Sequence, residues 1–344
     1  MTKPDDSSLK PKELREVEKR ARALLDRASA WERFPTPIED ILEAARVEVA
    51  SSNAFDPVAI MRYIRKRTEN AANYLKSALS KVLGIYDAAD RIIHVDSNVV
   101  KPKQRFLKLH ETGHHEMPTH RKLFQFFQDC RKTLEPEISD LFEREANNFA
   151  RFALFQGDCY RRVAADCALE IKTSMTLAKK FGASQYASAR EFARTNHRAC
   201  VVYILEPVEY VPGNGAQATV RRVEPSPSFE ARFGRPLDTL ITLDHPLGPI
   251  LPLGRKMTGP TTLSLKDRNG RAYECVAEAF NTTYNILILL YPVRELTTSR
   301  IIFASPLEST YYLARHFRDK RRPTLQKEVG PPKPLLSSEN APQS

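Results

Sequence analysis

The chain has 344 residues and a formal net charge of +11, with 42% hydrophobic and 28% charged residues. That length leaves room for two domains, and the balance is ordinary for a soluble globular protein. No apolar run approaches the roughly 18 residues that a membrane-crossing helix requires, so a membrane function is not expected.

Residues 1–10 open without the apolar core of a secretion signal and are expected to be disordered. Residues 11–30 suit a helix, with Leu14, Val17, Ala21, Leu24 and Ala28 on one stripe, and residues 1–30 together read as an N-terminal extension. Pro35 and Pro37 break the chain, and Pro37 suits the first turn of a helix running to Ala45. Val47–Val49 reads as a short strand and residues 57–80 as a helix. Val82–Tyr86 and Arg91–Val95 read as strands joined by a hairpin through Asp87–Asp90. Helices follow at about 103–116 and 137–155. Residues 121–134 lie between them as helix or loop, with Phe124, Phe126 and Phe127 expected in the core. Within 173–195, Gly182 separates two short helical patterns in a helix-turn-helix-like segment. Its second half carries Ser184, Gln185, Ser188 and Arg190, residue types that reach bases or phosphates when such a helix lies in a groove. The simpler reading is a structural helical hairpin.

From about Cys200 the texture becomes β-rich. Val201–Leu205, Ala218–Val223, Thr239–Leu243, Thr261–Leu265, Tyr273–Ala277 and Asn285–Tyr291 read as strands between Gly, Pro and Asn turns, with Asn269-Gly270 as a hairpin turn. Asp244-His245, before a proline, reads as a turn. Residues 198–315 thus form a mostly β domain suited to sensing a ligand or recognising a substrate protein, and 316–344 a basic, Pro- and Ser-rich tail. The basic run Arg315–Arg322 reads as a solvated tail, with nucleic-acid contact as the alternative. Cys130, Cys159, Cys167, Cys200 and Cys275 are scattered, odd in number and without a C-x-x-C, as expected of reduced thiols in a cytoplasmic protein.

The chemistry concentrates in His110-Glu111-Thr112-Gly113-His114. Positions i and i+4 lie about 400° apart around a helix, so both imidazoles leave one face. That is the H-E-x-x-H arrangement, in which two histidines bind zinc and the glutamate serves as general base. Gly113 costs about 1 kcal/mol against Ala in a helix interior, which makes sense where something approaches the backbone closely. A catalytic zinc takes a third protein ligand and keeps one position open. His115, Glu116 and His120 are near in sequence, but they point elsewhere on the helix or lie past Pro118. The helix containing Glu143, Glu145 and Asn147 is the better source: Glu143 shares a face with Asn147, a carboxylate ligand backed by an amide one turn on. Glu145 points about 200° away and is expected to face solvent, though it stays the alternative ligand. The plainer readings are a structural histidine pair and two ordinary first-turn acids.

His110–His114 followed by Glu143-Arg144-Glu145-Ala146-Asn147-Asn148-Phe149-Ala150 resembles the ImmA/IrrE family of metallopeptidases, which pair a HExxH helix with a later helix of the form E-x-E-A-N-x-F-A. The stretches Pro37–Val49, Leu83–Asp87, Arg91–Val95 and Gln104–Phe106 also resemble that family, so the likeness spans roughly residues 30–195. The chain departs from it after Ala153, where Leu154-Phe155-Gln156 stands in place of the family's Leu-Met-Pro. The resemblance implies an α+β fold: a zincin-like metallopeptidase domain with a helical hairpin over 31–197, followed by the mostly β domain. It also implies a zinc-dependent endopeptidase, with manganese as the alternative ion. His110, His114 and Glu143 would be its ligands, Glu111 its base and Asn147 a supporting residue. Its protein substrate would be a specific regulator such as a helix-turn-helix transcriptional repressor. The competing reading is a catalytically inert DNA- or protein-binding regulator on the same fold, as in a toxin–antitoxin or mobile-element pair.

Overall fold

A computed structural model of the chain describes residues 7–50, 84–88, 90–95, 98–122, 136–213 and 215–294. The expected helix over 57–80, the start of the strand at Val82, the aromatic patch at Phe124, Phe126 and Phe127, Cys130 and the basic tail lie outside the described residues. The architecture is α+β, and the described residues fall in one compact unit, Met1–Thr298. No helix among the described residues is long and apolar enough to cross a membrane.

Helix α1 (Pro11–Arg27) begins with proline at its first position, where a missing N–H costs nothing, and Glu13 accepts a hydrogen bond from the Lys10 backbone N–H. It buries Val17, Ala21, Leu24 and Leu25 and keeps Glu16–Arg20 and Glu18–Arg22 pairs outside. Helix α2 (Ile38–Ala45) stops where Arg46 turns left-handed, and the chain passes into strand β1 (Glu48–Val49). Strands β2 (Gly84–Asp87) and β3 (Ile92–Val95) pair antiparallel as the sequence predicts. β1 adds in parallel to β3, giving the order β1-β3-β2. This small sheet and α2 support helix α3 (Lys101–Glu116), which packs along helix α4 (Pro136–Leu154). Helix α4 buries Ala146, Phe149, Ala150, Ala153 and Leu154, and α1 packs on it too.

Helices α5 (Cys159–Ala165), α6 (Ile171–Phe181) and α7 (Gln185–Thr195) follow. Gly182 closes α6 in the left-handed region at φ 70°, and Ser184 caps α7 by accepting the Ala187 N–H at 3.1 Å. The helix-turn-helix-like segment is a helical hairpin, and Ser184, Ser188 and Arg190 within it are engaged internally. Ser188 is buried and bonds Tyr160 and the Ser174 carbonyl, while Arg190 pairs with Glu224 at 3.2 Å.

The β half is one antiparallel sheet of β4 (Val201–Leu205), β5 (Glu209–Val211), β6 (Gly215–Pro225), β7 (Leu240–Thr242), β8 (Met257–Lys266), β9 (Ala272–Asn281) and β10 (Ile286–Pro292). Its order is β5-β6-β4-β10-β9-β8, with β7 on β6. The Asn269-Gly270 turn joins β8 to β9; the Asp267 carboxylate accepts the Asn269 and Arg271 N–H groups, and Gly270 supplies φ 79°. Side-chain alternation divides the central strands between two cores. Val202, Ile204, Leu287 and Leu289 join the core shared with the helices. Val201, Tyr203, Leu205, Ile286, Ile288 and Leu290 face a second core closed by Phe229 of helix α8 (Pro227–Phe233) with Leu247, Ile250 and Leu251. Both faces of β4 and β10 are covered, which is why these strands read as unbroken apolar runs.

Candidate metal centre

The C-terminal half of α3 is buried without interruption from Leu109 to His115, although it contains His110, Glu111, Thr112, His114 and His115. Burying so many polar groups is costly unless each finds a partner, and each does. Thr112 donates to the Lys108 carbonyl at 2.7 Å. The Tyr86 hydroxyl meets His115 Nδ1 at 2.5 Å, and His115 also hydrogen-bonds the Ala45 carbonyl. The Glu111 carboxylate accepts the backbone N–H of Tyr86 in β2. The remaining histidines turn toward α4.

Gly113 brings α4 that close. A Cβ on Gly113 would lie 3.1 Å from Phe149 Cβ and 3.2 Å from two of its ring atoms, so the bare glycine backbone is what lets the two helices pack at this distance. At this crossing Glu143 Oε2 lies 3.2 Å from His110 Nε2, and Glu143 Oε1 lies 3.6 Å from His114 Nε2. The two Nε2 atoms are 3.3 Å apart. Ligands at about 2.0–2.1 Å from a tetrahedral ion are about 3.3 Å from one another; the two imidazole nitrogens have that spacing, and the Glu143 carboxylate lies close enough to supply the third ligand. The group His110, His114, Glu143 is the one metal-capable cluster of its kind among the described residues. Both histidines are buried, and the Glu143 side chain is half exposed.

Hydrogen bonds behind the histidines set which nitrogen each presents. Asn147 Oδ1 lies 3.1 Å from His110 Nδ1. An amide oxygen only accepts, so Nδ1 carries a proton there and Nε2 is the atom turned to the cluster. Behind His114, its Nδ1 lies 3.1 Å from His120 Nδ1, and His120 Nε2 lies 2.6 Å from Glu145 Oε2. Glu145 accepts the His120 Nε2–H hydrogen bond, so in the neutral ring His120 Nδ1 carries no proton and accepts from His114 Nδ1–H. His114 Nε2 is then the nitrogen turned toward His110 and Glu143. His120 is fully buried and its ring stacks on Phe142 with centroids 3.8 Å apart.

The structure corrects two expectations. His120 does not point away from the site: α3 ends at Glu116, but residues 118–122 resume a helix that carries His120 back under His114. Glu145 does not face solvent; its side chain is 19% exposed and bonded to His120. Their linkage crosses two segments 25 residues apart, and the spacing within either segment contains no sign of it. His115 and Glu116 do point elsewhere, to Tyr86 and to Arg27.

The electrostatics are those of a buried acid–base cluster. Burial draws His110 down, but the hydrogen bond and charge of Glu143 outweigh it and raise its pKa; burial drives Glu143 up, and His110 and His114 more than reverse that. Burial, then Glu143, raises Glu111 to about 7, against the opposing pull of His110 and the Tyr86 N–H. Burial holds His114 and His120 neutral, the latter at about 3. The neutral ring is the form that binds metals.

No family model matches the chain, and no curated protein is similar to it. Among solved structures it is similar to a Mycobacterium tuberculosis transcriptional regulator at a TM-score of 0.44 and 10% identity, with 84% of this chain and 92% of that one covered.

Proposed function

We propose that the protein is a metal-dependent endopeptidase in which His110, His114 and Glu143 hold zinc, or manganese in its place, on a zincin-like pairing of α3 with α4. The observation that carries this reading is that the two imidazole Nε2 atoms lie 3.3 Å apart and each faces an oxygen of the Glu143 carboxylate, His110 at 3.2 Å from Oε2 and His114 at 3.6 Å from Oε1, with both imidazoles oriented by partners on their far nitrogens. When bound, the ion supplies Lewis-acid polarisation of a peptide carbonyl and makes water nucleophilic near neutral pH. Glu111 lies on the same helix, is held by the Tyr86 N–H, and has a pKa of about 7. A carboxylate of that basicity takes a proton from attacking water and returns it to the leaving amine. Asn147 and the His120–Glu145 pair keep the two rings fixed through the cycle.

The likeness of His110–His114 and Glu143–Ala150 to the ImmA/IrrE family supports a regulatory protein as substrate, with a helix-turn-helix repressor as the first candidate. We place the reaction in the cytoplasm, a reading supported by four described cysteines that are all free thiols. DNA contact through 173–195 is the weaker reading, because Ser184, Ser188 and Arg190 are spent on capping, core and ion-pair contacts.

The test is elemental analysis together with co-expression of the chain and a candidate helix-turn-helix repressor. The expected result is stoichiometric transition metal in the wild type and in Glu111→Gln, with cut repressor in the wild type alone. Metal-free protein under non-chelating purification overturns the metal reading. A biological effect that survives Glu111→Gln favours the inert regulator.

A further inference from the structure

A cleft of about 560 Å³ opens where α4, α7, β6 and residues 7–9 meet. Its lining includes five guanidiniums, Arg151, Arg194, Arg221, Arg222 and Arg235, against two carboxylates, Glu224 and Asp238; Glu191, paired with Arg151 and Arg194, and Glu206, paired with Arg221, offset part of the remaining positive charge. The carboxylates are already engaged: Asp238 bonds Tyr203 and His245, and Glu224 pairs with Arg190, Arg194 and, at 3.9 Å, Arg222. Arg151 is the most telling. Its side chain is 14% exposed and lies over the Phe152 ring at 4.3 Å. The carboxylate paired with it, Glu191 at 3.8 Å, is shared with Arg194, and the Arg151 Nε is buried without a hydrogen-bond partner. Burial, and then the charges of Arg194 and Arg190 set against Glu191, draw the pKa of Arg151 down to about 10. A surface that merely needs solubility leaves its arginines in water; Arg151 and Arg222, the latter 16% exposed, are largely withdrawn from it.

Guanidinium forks match phosphate oxygens with paired, charge-assisted hydrogen bonds. The volume lies within the range of small-molecule sites and exceeds what a bare phosphate fills. Leu9, Leu14 and Leu237 supply an apolar wall beside the charges. Arg151 stands eight residues beyond Glu143 on α4, about 12 Å along its axis, so the cleft uses no residue of the metal centre. We infer that this cleft binds a phosphate-bearing small molecule of about nucleotide size, its phosphates held by Arg151, Arg194 and Arg222 and its organic part against the leucines.

The test is calorimetric titration of the full chain, stripped of metal so that no bound ion captures the probe, with pyrophosphate at physiological ionic strength. The expected result is saturable single-site binding with Kd below about 1 mM, weakened about tenfold or more by Arg151→Met and by Arg222→Gln. Arg161→Gln, at an exposed arginine that pairs with Asp158 and does not line the cleft, leaves it unchanged. Should Arg151→Met not fold, Arg222→Gln carries the comparison. Absence of saturation, or equal affinity in the folded variants, overturns the inference. So does a short single-stranded DNA whose binding alone responds to these variants, which would make the cleft a nucleic-acid surface.

Discussion

Gly113 of α3 and Phe149 of α4 meet so closely that a methyl group between them would sit 3.1 Å from the Phe149 Cβ. The contact sets how near Glu143 and Asn147 come to the two histidines. In an isolated helix Gly113→Ala would gain about 1 kcal/mol. Here overpacking costs about 1–3 kcal/mol and outweighs that gain. The expected outcome is lower stability in urea and weaker metal binding, with helix content unchanged by circular dichroism. Phe149→Ala in the Gly113→Ala background removes the two ring atoms that crowd the new methyl group at 3.2 Å and is expected to restore part of the metal affinity. A stabilised Gly113→Ala protein with native affinity would show that the spacing of the helices is not set by this contact.

Glu143 and Glu145 differ in what they touch, so their removal differs in kind. Glu143→Gln takes away a donor atom at 3.2 Å from His110 Nε2 and is expected to abolish stoichiometric metal retention. Glu145→Gln and His120→Gln leave all three donors and loosen only the support of His114. Losses of supporting residues cost about 10–100-fold in metal affinity. Competition against a coloured chelator measures all three. Equal loss in Glu143→Gln and Glu145→Gln would contradict the division of roles.

Much of this centre is legible in the sequence, and the reason is helical periodicity. His110, Glu111 and His114 fall within about one turn of each other, and Glu143 with Asn147 repeats that spacing on a second helix, so local geometry alone pairs them. Gly113 also signals a close approach, without naming Phe149 as the neighbour. His120 is not legible because Pro118 breaks the period, and the face on which His120 emerges depends on where the chain resumes its helical turn. Glu145 is hidden for a related reason: a residue on the wrong face of α4 for one partner is on the right face for another. In the β half, β5 and α8 escape a strand-pattern search. The first is three residues long and mostly exposed. The second does carry a local signal, Ser226-Pro227 at its start, with Ser226 capping the Phe229 N–H.

Three buried histidines, His114, His115 and His120, lower stability on acidification, whereas His110, raised against burial to about 9 by the hydrogen bond and charge of Glu143, contributes stability that is lost as pH rises from about 6.5 to 9. Burial, then Arg121 and Arg91, lowers His115 to about 4, while an unfolded histidine titrates near about 6.5. Above that value His115 is neutral in both states and its contribution is flat. Between about 6.5 and 4 the unfolded chain binds the extra proton, so stability falls as the solution is acidified and levels off below. The share from His115 is up to about 3 kcal/mol. His114 and His120, also held neutral, act with the same sign. Urea titrations of metal-free protein at pH 7 and pH 4.5 should show a smaller difference in His115→Gln than in the wild type. An unchanged difference would mean that His115 plays no part in the acid sensitivity.

Glu224 supports the basic cluster beside the cleft from inside. Its side chain is 11% exposed and accepts from Arg190 and Arg194, with Arg222 at 3.9 Å. Burial pushes this carboxyl up, but the arginines outweigh burial and hold it at about 2. A folded pKa below the unfolded one gives stability that is present above about 4.5 and is lost as pH falls toward 2. Glu224→Gln leaves guanidiniums facing one another without the charge that pairs them, at a cost of about 3–5 kcal/mol for a buried pair broken on one side. Denaturation of wild type and variant should therefore diverge by that amount at pH 7 and converge as the pH approaches 2. Excess pyrophosphate should narrow the gap at pH 7 if the cleft holds phosphate, because an added anion then replaces part of the missing charge. A gap that persists undiminished at low pH would mean that the variant fails through packing rather than through charge.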